Sequence, residues 1–146
     1  MIVFTSQSVK QTEYLGEKIA SVLKGCEVIA MFGDLGAGKT AFTRGLAKGL
    51  GFSDGVSSPT FAIVNEYVGK FNIYHFDMYR IKSEDDLYST GFYDYLDNGV
   101  LIIEWSENIE YALDSNTIRI KINKTDDENT RVFTIEGLDE YEDIIT

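Results

Sequence analysis

Cysteine, proline, histidine and tryptophan each occur once in 146 residues. A single cysteine closes no internal disulfide. Cys26 stands just before an apolar segment and is expected as a buried structural thiol, a usage that suits a reducing cytoplasm. No window approaches the run of about 18 apolar residues that a membrane span needs. The start, Met1-Ile2-Val3-Phe4-Thr5, has neither a basic region nor a long apolar core, so no secretory signal is expected. The lone His75 lacks companions for a metal site of its own. Bases are scarce too: 13 against 24 acids, for a net charge of −11. Such a surface repels a phosphate backbone, so autonomous grip on RNA or DNA is disfavoured. A role in nucleic-acid metabolism is expected to run through a protein partner. The arginines are only Arg44, Arg80, Arg119 and Arg131, with no Arg-rich insertion. That speaks against a small-molecule kinase, which needs a lid to clamp the transferred phosphate. No internal repeat or interdomain linker is visible, and residues 1–146 are expected to form a single domain with a real core.

What is present centres on Gly33-Asp34-Leu35-Gly36-Ala37-Gly38-Lys39-Thr40. It fits G-x-x-x-x-G-K-[ST], the phosphate-binding loop. Val28-Ile29-Ala30-Met31-Phe32 precedes it and reads as a buried strand. In Ala41–Leu50 the residues Phe42, Leu46 and Leu50 recur every four positions, as on one helix face. Strand, loop, helix is the context the motif requires. Gly33, Gly36 and Gly38 let the backbone turn where a Cβ would clash. Successive N–H groups, those of Leu35, Gly36, Ala37 and Ala41 among them, then cradle anionic oxygens at the positive end of a helix. Lys39 can reach the β and γ phosphates, and the Thr40 hydroxyl can ligate Mg²⁺.

The remaining chain supplies an α/β frame. Ile2-Val3-Phe4 reads as an edge strand. Ser8 and Gln11 have capping-box spacing, opening a helix to about Lys24 with Leu15, Ile19, Val22 and Leu23 inward and Gly25 as terminator. Residues 52–59 form a turn-rich loop. The runs 61–67 and 71–77 read as strands joined by Val68-Gly69-Lys70, which is short enough to require an antiparallel hairpin. The sheet is therefore expected to be mixed. Ser83-Glu84-Asp85-Asp86 opens another helix, broken near Gly91, and Tyr93–Leu96 is a further helical piece. Val100-Leu101-Ile102-Ile103 is a strand covered on both faces, followed by a short helix from Ser106. The alternating runs 117–122 and 130–135 form a second hairpin, and the acidic tail from Asp139 is expected to fray at its end.

A nucleotide-hydrolysing loop needs an acid near Mg²⁺ and a group that positions water. Glu104 follows four apolar residues, a carboxylate at the carboxyl end of a buried strand, where ligands of open α/β sheets gather. Asp77 closes the strand 71–77. Only one strand of that hairpin can point its carboxyl end at the nucleotide, and if it is the second, Asp77 reaches the loop rim. His75 shares a strand face with Asp77 and reads as structural. Arg80 suits a phosphate oxygen or a salt bridge equally. Thr60 suits γ-phosphate sensing or turn chemistry, and Trp105 suits the nucleotide pocket or plain core packing. Asn123-Lys124-Thr125-Asp126 fits the guanine-reading N-K-x-D pattern literally, but its place between alternating strands makes it a turn. A nucleotide-dependent switch and a small-molecule kinase are the alternatives.

Taken together, the loop, Ser58-Pro59-Thr60-Phe61, His75-Phe76-Asp77-Met78-Tyr79-Arg80 and Glu104-Trp105 resemble the bacterial TsaE (YjeE) family. The resemblance spans nearly the whole chain. It implies a P-loop NTPase α/β fold with a mixed central β-sheet flanked by helices. It implies ATP binding and slow, Mg²⁺-dependent hydrolysis, with Lys39 on the phosphates and with Thr40 and Glu104 on Mg²⁺. The family's essential strand-end aspartate corresponds to Asp77. The resemblance further implies action with the TsaD and TsaB proteins, which place threonylcarbamoyl on the adenosine beside the anticodon of tRNAs reading codons that start with A. Hydrolysis would reset that complex, and tRNA would be met only indirectly. Residues near Val9–Thr12 and Arg131 are the implied adenine neighbours. Ser106 stands where the family often has proline.

Overall fold

The computed structural model describes residues 1–33, 38–52 and 64–146. Its centre is a seven-stranded mixed sheet. The strands are β1 (Ile2–Ser6), β2 (Val28–Phe32), β3 (Val64–Val68), β4 (Asn72–Asp77), β5 (Val100–Glu104), β6 (Ile118–Lys124) and β7 (Arg131–Glu136). Their spatial order is β1-β7-β6-β2-β5-β4-β3. The middle four, β6, β2, β5 and β4, run parallel. The flanks are the two expected hairpins, β3–β4 and β6–β7, with β1 antiparallel on the outer edge. The run of four apolar residues before Glu104 is explained by this order. β5 lies between β2 and β4 and is buried on both faces along its whole length.

One face of the sheet is covered by α1 (Val9–Ala20) and α2 (Lys39–Gly49). Leu15, Ile19, Phe42 and Leu46 pack there against Ile29, Met31, Ile102, Ile120 and Phe133. Each such fully buried side chain contributes about 1.5–3 kcal/mol. The other face is covered by α3 (Glu84–Ser89), α4 (Phe92–Tyr95) and a 3-10 helix, Ser106–Ala112. Leu87, Phe92 and Ile109 meet Phe76, Leu101 and Ile103 on that side. The two helices of the first face cross at very short range. A Cβ on Gly16 would lie 2.5 Å from the Phe42 carbonyl oxygen and 2.6 Å from the Leu46 nitrogen. One on Gly45 would collide with the Glu13 carbonyl oxygen.

Four local expectations are corrected. The helix that starts at the Ser8 cap ends at Ala20 rather than near Lys24, because residues 21–25 turn the chain back into β2. The Gln11 side chain accepts from the Gln7 N–H, one residue before the cap, while Ser8 Oγ accepts from the Gln11 N–H. Cys26 is exposed. The adjacent Glu27 carboxylate gathers the N–H groups of Lys24, Gly25 and Cys26 at 2.7, 2.8 and 3.1 Å, and this tight turn leaves the thiol outside. The acidic tail is docked as a 3-10 turn, Asp139–Tyr141, and a short helix, α5 (Glu142–Ile145). Leu138 and Ile145 are buried in the core beside α1, Lys18 Nζ donates to the Ile145 carbonyl oxygen, and the N-terminal ammonium meets Asp139 at 2.6 Å. The acids face solvent while two apolar residues anchor the segment.

Candidate functional site

The parallel strands β2, β5 and β4 bring their carboxyl ends to one edge of the sheet, and β6 ends there too. Phosphate-loop residues Gly33 and Gly38 frame that edge. Gly33 leaves β2 with φ 144°, and a Cβ there would lie 2.6 Å from the Ile122 carbonyl oxygen of β6, so only glycine fits. Gly38 enters α2 with φ 103°. Leu35, Gly36 and Ala37 lie outside the described residues, as do Asp34, Ser58, Pro59, Thr60 and Phe61.

Lys39 opens α2 and is only 5% exposed. Its Nζ donates to the Gly33 carbonyl oxygen at 2.9 Å and stands 4.6 Å from the centre of the Trp105 ring. Thr40, in the first turn of α2, and Ala41 are half-buried beside it. Trp105 directly follows β5 in the left-handed region, with φ 58°. A bulky residue there costs on the order of 1–3 kcal/mol, and such strain collects at functional positions. The turn brings the indole beside Lys39, and the Tyr79 ring centre lies 5.0 Å from it. Trp105 thus stands beside the loop's lysine and also packs against the second core cluster.

Because β4 is parallel to β5, it is the second strand of its hairpin that aims at the loop edge. Asp77 is paired in register with Glu104. His75 pairs with Ile102, so by the two-residue period His75, Asp77, Ile102 and Glu104 share the sheet face on which α2 packs. His75 and Glu104 are diagonal neighbours on that face, and His75 Nε2 meets Glu104 Oε2 at 2.7 Å. His75 is fully buried and Glu104 nearly so. Asp77, half-buried, accepts the Tyr79 N–H at 2.9 Å through Oδ1, holding the turn after β4. The Met78 N–H donates to the Glu104 carbonyl oxygen at 3.0 Å. The Asn108 side-chain amide donates to the carbonyl oxygens of Met78 and Tyr79, so the exits of both strands are stitched together.

Sequence reading missed three of these features: the His75–Glu104 bond, the Tyr79–Trp105 contact and the Asn108 clasp. Only the diagonal His75–Glu104 relation had any signal, and it required knowing that β4 and β5 are neighbours. Arg80 is exposed and makes no ion pair among the described residues; it lines a surface hollow with Tyr79, Lys82, Trp105 and Asn108. Arg131 pairs in register with both Ser6 and Lys124 at the same sheet edge, beside the start of α1. Asn123 and Lys124 occupy the last rungs of β6. Asp126 lies in the connecting turn, where Thr125 Oγ1 bonds the carbonyl oxygens of Asp127 and Thr130. The N-K-x-D match is hairpin structure, as its position suggested.

A family model described as "Threonylcarbamoyl adenosine biosynthesis protein TsaE" matches residues 6–133. The chain belongs to the TsaE family. The Rickettsia prowazekii relative named tRNA threonylcarbamoyladenosine biosynthesis protein TsaE is 41% identical over 133 residues, covering 90% of this chain and 92% of that one. The Bacillus subtilis protein of the same name is 40% identical over 131 residues, covering 88% and 82%. The crystal structure of Bacillus subtilis YdiB superposes with a TM-score of 0.73 at 30% identity, covering 99% of this chain and 90% of that one. The TsaE fold is thus the P-loop NTPase α/β fold, with the mixed sheet expected from the sequence. Among the described residues, no helix is long and apolar enough to cross a membrane.

Proposed function

We propose that this protein is the ATP-binding and ATP-hydrolysing subunit of tRNA threonylcarbamoyladenosine biosynthesis, acting with TsaD and TsaB as one domain over residues 1–146 and placed in the cytoplasm. The observation that carries this reading is the arrangement at one sheet edge. Lys39 turns its ammonium into the phosphate loop, and Glu104 and Asp77 end adjacent parallel strands in register.

The residues fit Mg²⁺-ATP. Gly33, Leu35, Gly36, Ala37, Gly38, Lys39, Thr40 and Ala41 would hold the phosphates, and the Thr40 hydroxyl and Glu104 carboxylate would hold the metal. When bound, Mg²⁺-ATP supplies the phosphoanhydride to be cleaved and neutralises charge on its oxygens. The Lys39 ammonium adds positive charge where the phosphates gather, and its near-complete burial strengthens that attraction. Asp77, at the strand end beside Glu104, would orient water or brace the metal shell. Trp105 and Tyr79 wall the site beside Lys39. The kinase alternative finds little support in the arginines. Arg44 is engaged by Glu13 and Arg119 by Glu110. With a net charge of −11 the chain is suited to meet tRNA through its partners rather than alone.

The test compares nucleotide binding and phosphate release for ATP and GTP, with and without the TsaD–TsaB pair. We expect ATP preference and partner-stimulated release, both lost in Lys39→Ala, with release lost in Glu104→Ala. A clear GTP preference, or stoichiometric transfer of phosphate to a small molecule, sinks the proposal.

A further inference from the structure

We propose that His75 is a positioning residue that fixes the Glu104 carboxylate for Mg²⁺. This rests on the reading of Glu104 as a metal ligand given above. The His75 ring is fully buried, sits beside Tyr67 at 6.2 Å between ring centres, and among the described residues its one hydrogen bond is to Glu104. An ionised carboxylate only accepts hydrogen bonds, so Nε2–H of the ring is the donor of the 2.7 Å bond to Oε2. That bond uses one of about four acceptor positions on the carboxylate and sets its rotation.

The other ring nitrogen, Nδ1, is buried with no hydrogen-bond partner among the described residues. An unsatisfied buried polar atom costs about 1–3 kcal/mol. An apolar residue at this position of β4 would avoid that cost, as Ile73 does on the same face. A histidine here is thus a poor choice for stability alone. What it adds is one directed donor on the one carboxylate that ends the strand beside the phosphate loop. Partners that orient metal-bound groups in this way typically change metal affinity or activity about 10–100-fold when removed.

The experiment measures Mn²⁺ binding by electron paramagnetic resonance on the full chain with ADP, alongside ADP affinity in EDTA. His75→Leu should weaken Mn²⁺ binding about 10-fold or more while metal-free ADP affinity stays within about twofold of wild type. His75→Gln, whose amide N–H takes the place of Nε2–H, should restore most of the Mn²⁺ affinity. His75→Asn, whose amide falls short, should not, and this pair decides the matter if the leucine variant does not fold. Unchanged Mn²⁺ affinity in a folded His75→Leu overturns the proposal, as does a Gln variant no better than Asn. Glu104→Ala separates the two readings. If it loses Mn²⁺ while His75→Leu does not, only the positioning role falls. If Glu104→Ala keeps Mn²⁺, the metal-ligand reading falls and the positioning role falls with it.

Discussion

Lys39 holds its ammonium 4.6 Å from the centre of the Trp105 ring while donating to the Gly33 carbonyl oxygen. The cation at the ring face is worth about 0.5–2 kcal/mol and is specific to this arrangement. Trp105 is the single tryptophan of the chain, so its fluorescence reports on this spot alone. Titration with ATP should change that emission as phosphate oxygens compete for the lysine. The change should vanish in Lys39→Ala. An emission change of wild-type size in Lys39→Ala, or none in the wild-type chain while calorimetry shows ATP bound, would count against the lysine's place on the phosphates.

Asp77→Asn separates charge from structure at the end of β4. The asparagine oxygen can still accept the Tyr79 N–H, so the turn should persist. ATP affinity should stay within a few-fold of wild type. Partner-stimulated phosphate release should fall about 100-fold or more, the scale of a lost catalytic carboxylate. Normal turnover in this variant removes Asp77 from the catalytic set.

Gly45 governs how close α1 and α2 can come. Gly45→Ala sets a methyl group against the Glu13 backbone, which can yield only by separating the helices. Overpacking of this kind costs about 1–3 kcal/mol. Thermal denaturation should show a midpoint several degrees lower, at about 2–4 °C per kcal/mol for this size. Gly38→Ala meets no atom of the described residues within 4 Å of its Cβ but has a left-handed backbone. It should act mainly on nucleotide affinity, because it distorts the entry to α2.

The turn between β6 and β7 carries a pH signature. The Asn129 backbone N–H, the Thr130 hydroxyl and the nearby Arg131 hold the Asp127 carboxyl below its ordinary value. A depressed acid stabilises the fold above its unfolded value, and that contribution is lost as pH falls through the folded value. In an NMR titration the Asn129 amide should shift with Asp127 in the acid range, below where a free aspartate titrates. Asp127→Asn should abolish the shift and leave nucleotide binding unchanged.

Much of the fold was legible because it is written in local periodicity. The two-residue alternation of 117–122 and 130–135, the four-residue spacing of Phe42, Leu46 and Leu50, and the short turn at Gly69 each follow from contacts between near neighbours. The phosphate loop was legible for a related reason, since its chemistry belongs to a contiguous stretch. The caps at Ser8 and Ser83 likewise depend on atoms three residues away.

What the amino-acid order determined by itself was therefore the list of strands and helices, the mixed sheet, the phosphate loop and two strand-end acids. Tertiary structure alone decided which hairpin strand lies parallel to β5, and with it that Asp77 stands beside Glu104. It decided that His75, read as a structural residue, bonds the Glu104 carboxylate. It also decided that the acidic tail docks through Ile145 and that Cys26 faces outward. The physical reason is common to all four. Periodicity records which face a residue presents, but strand order, register and the packing of distant segments determine what that face meets.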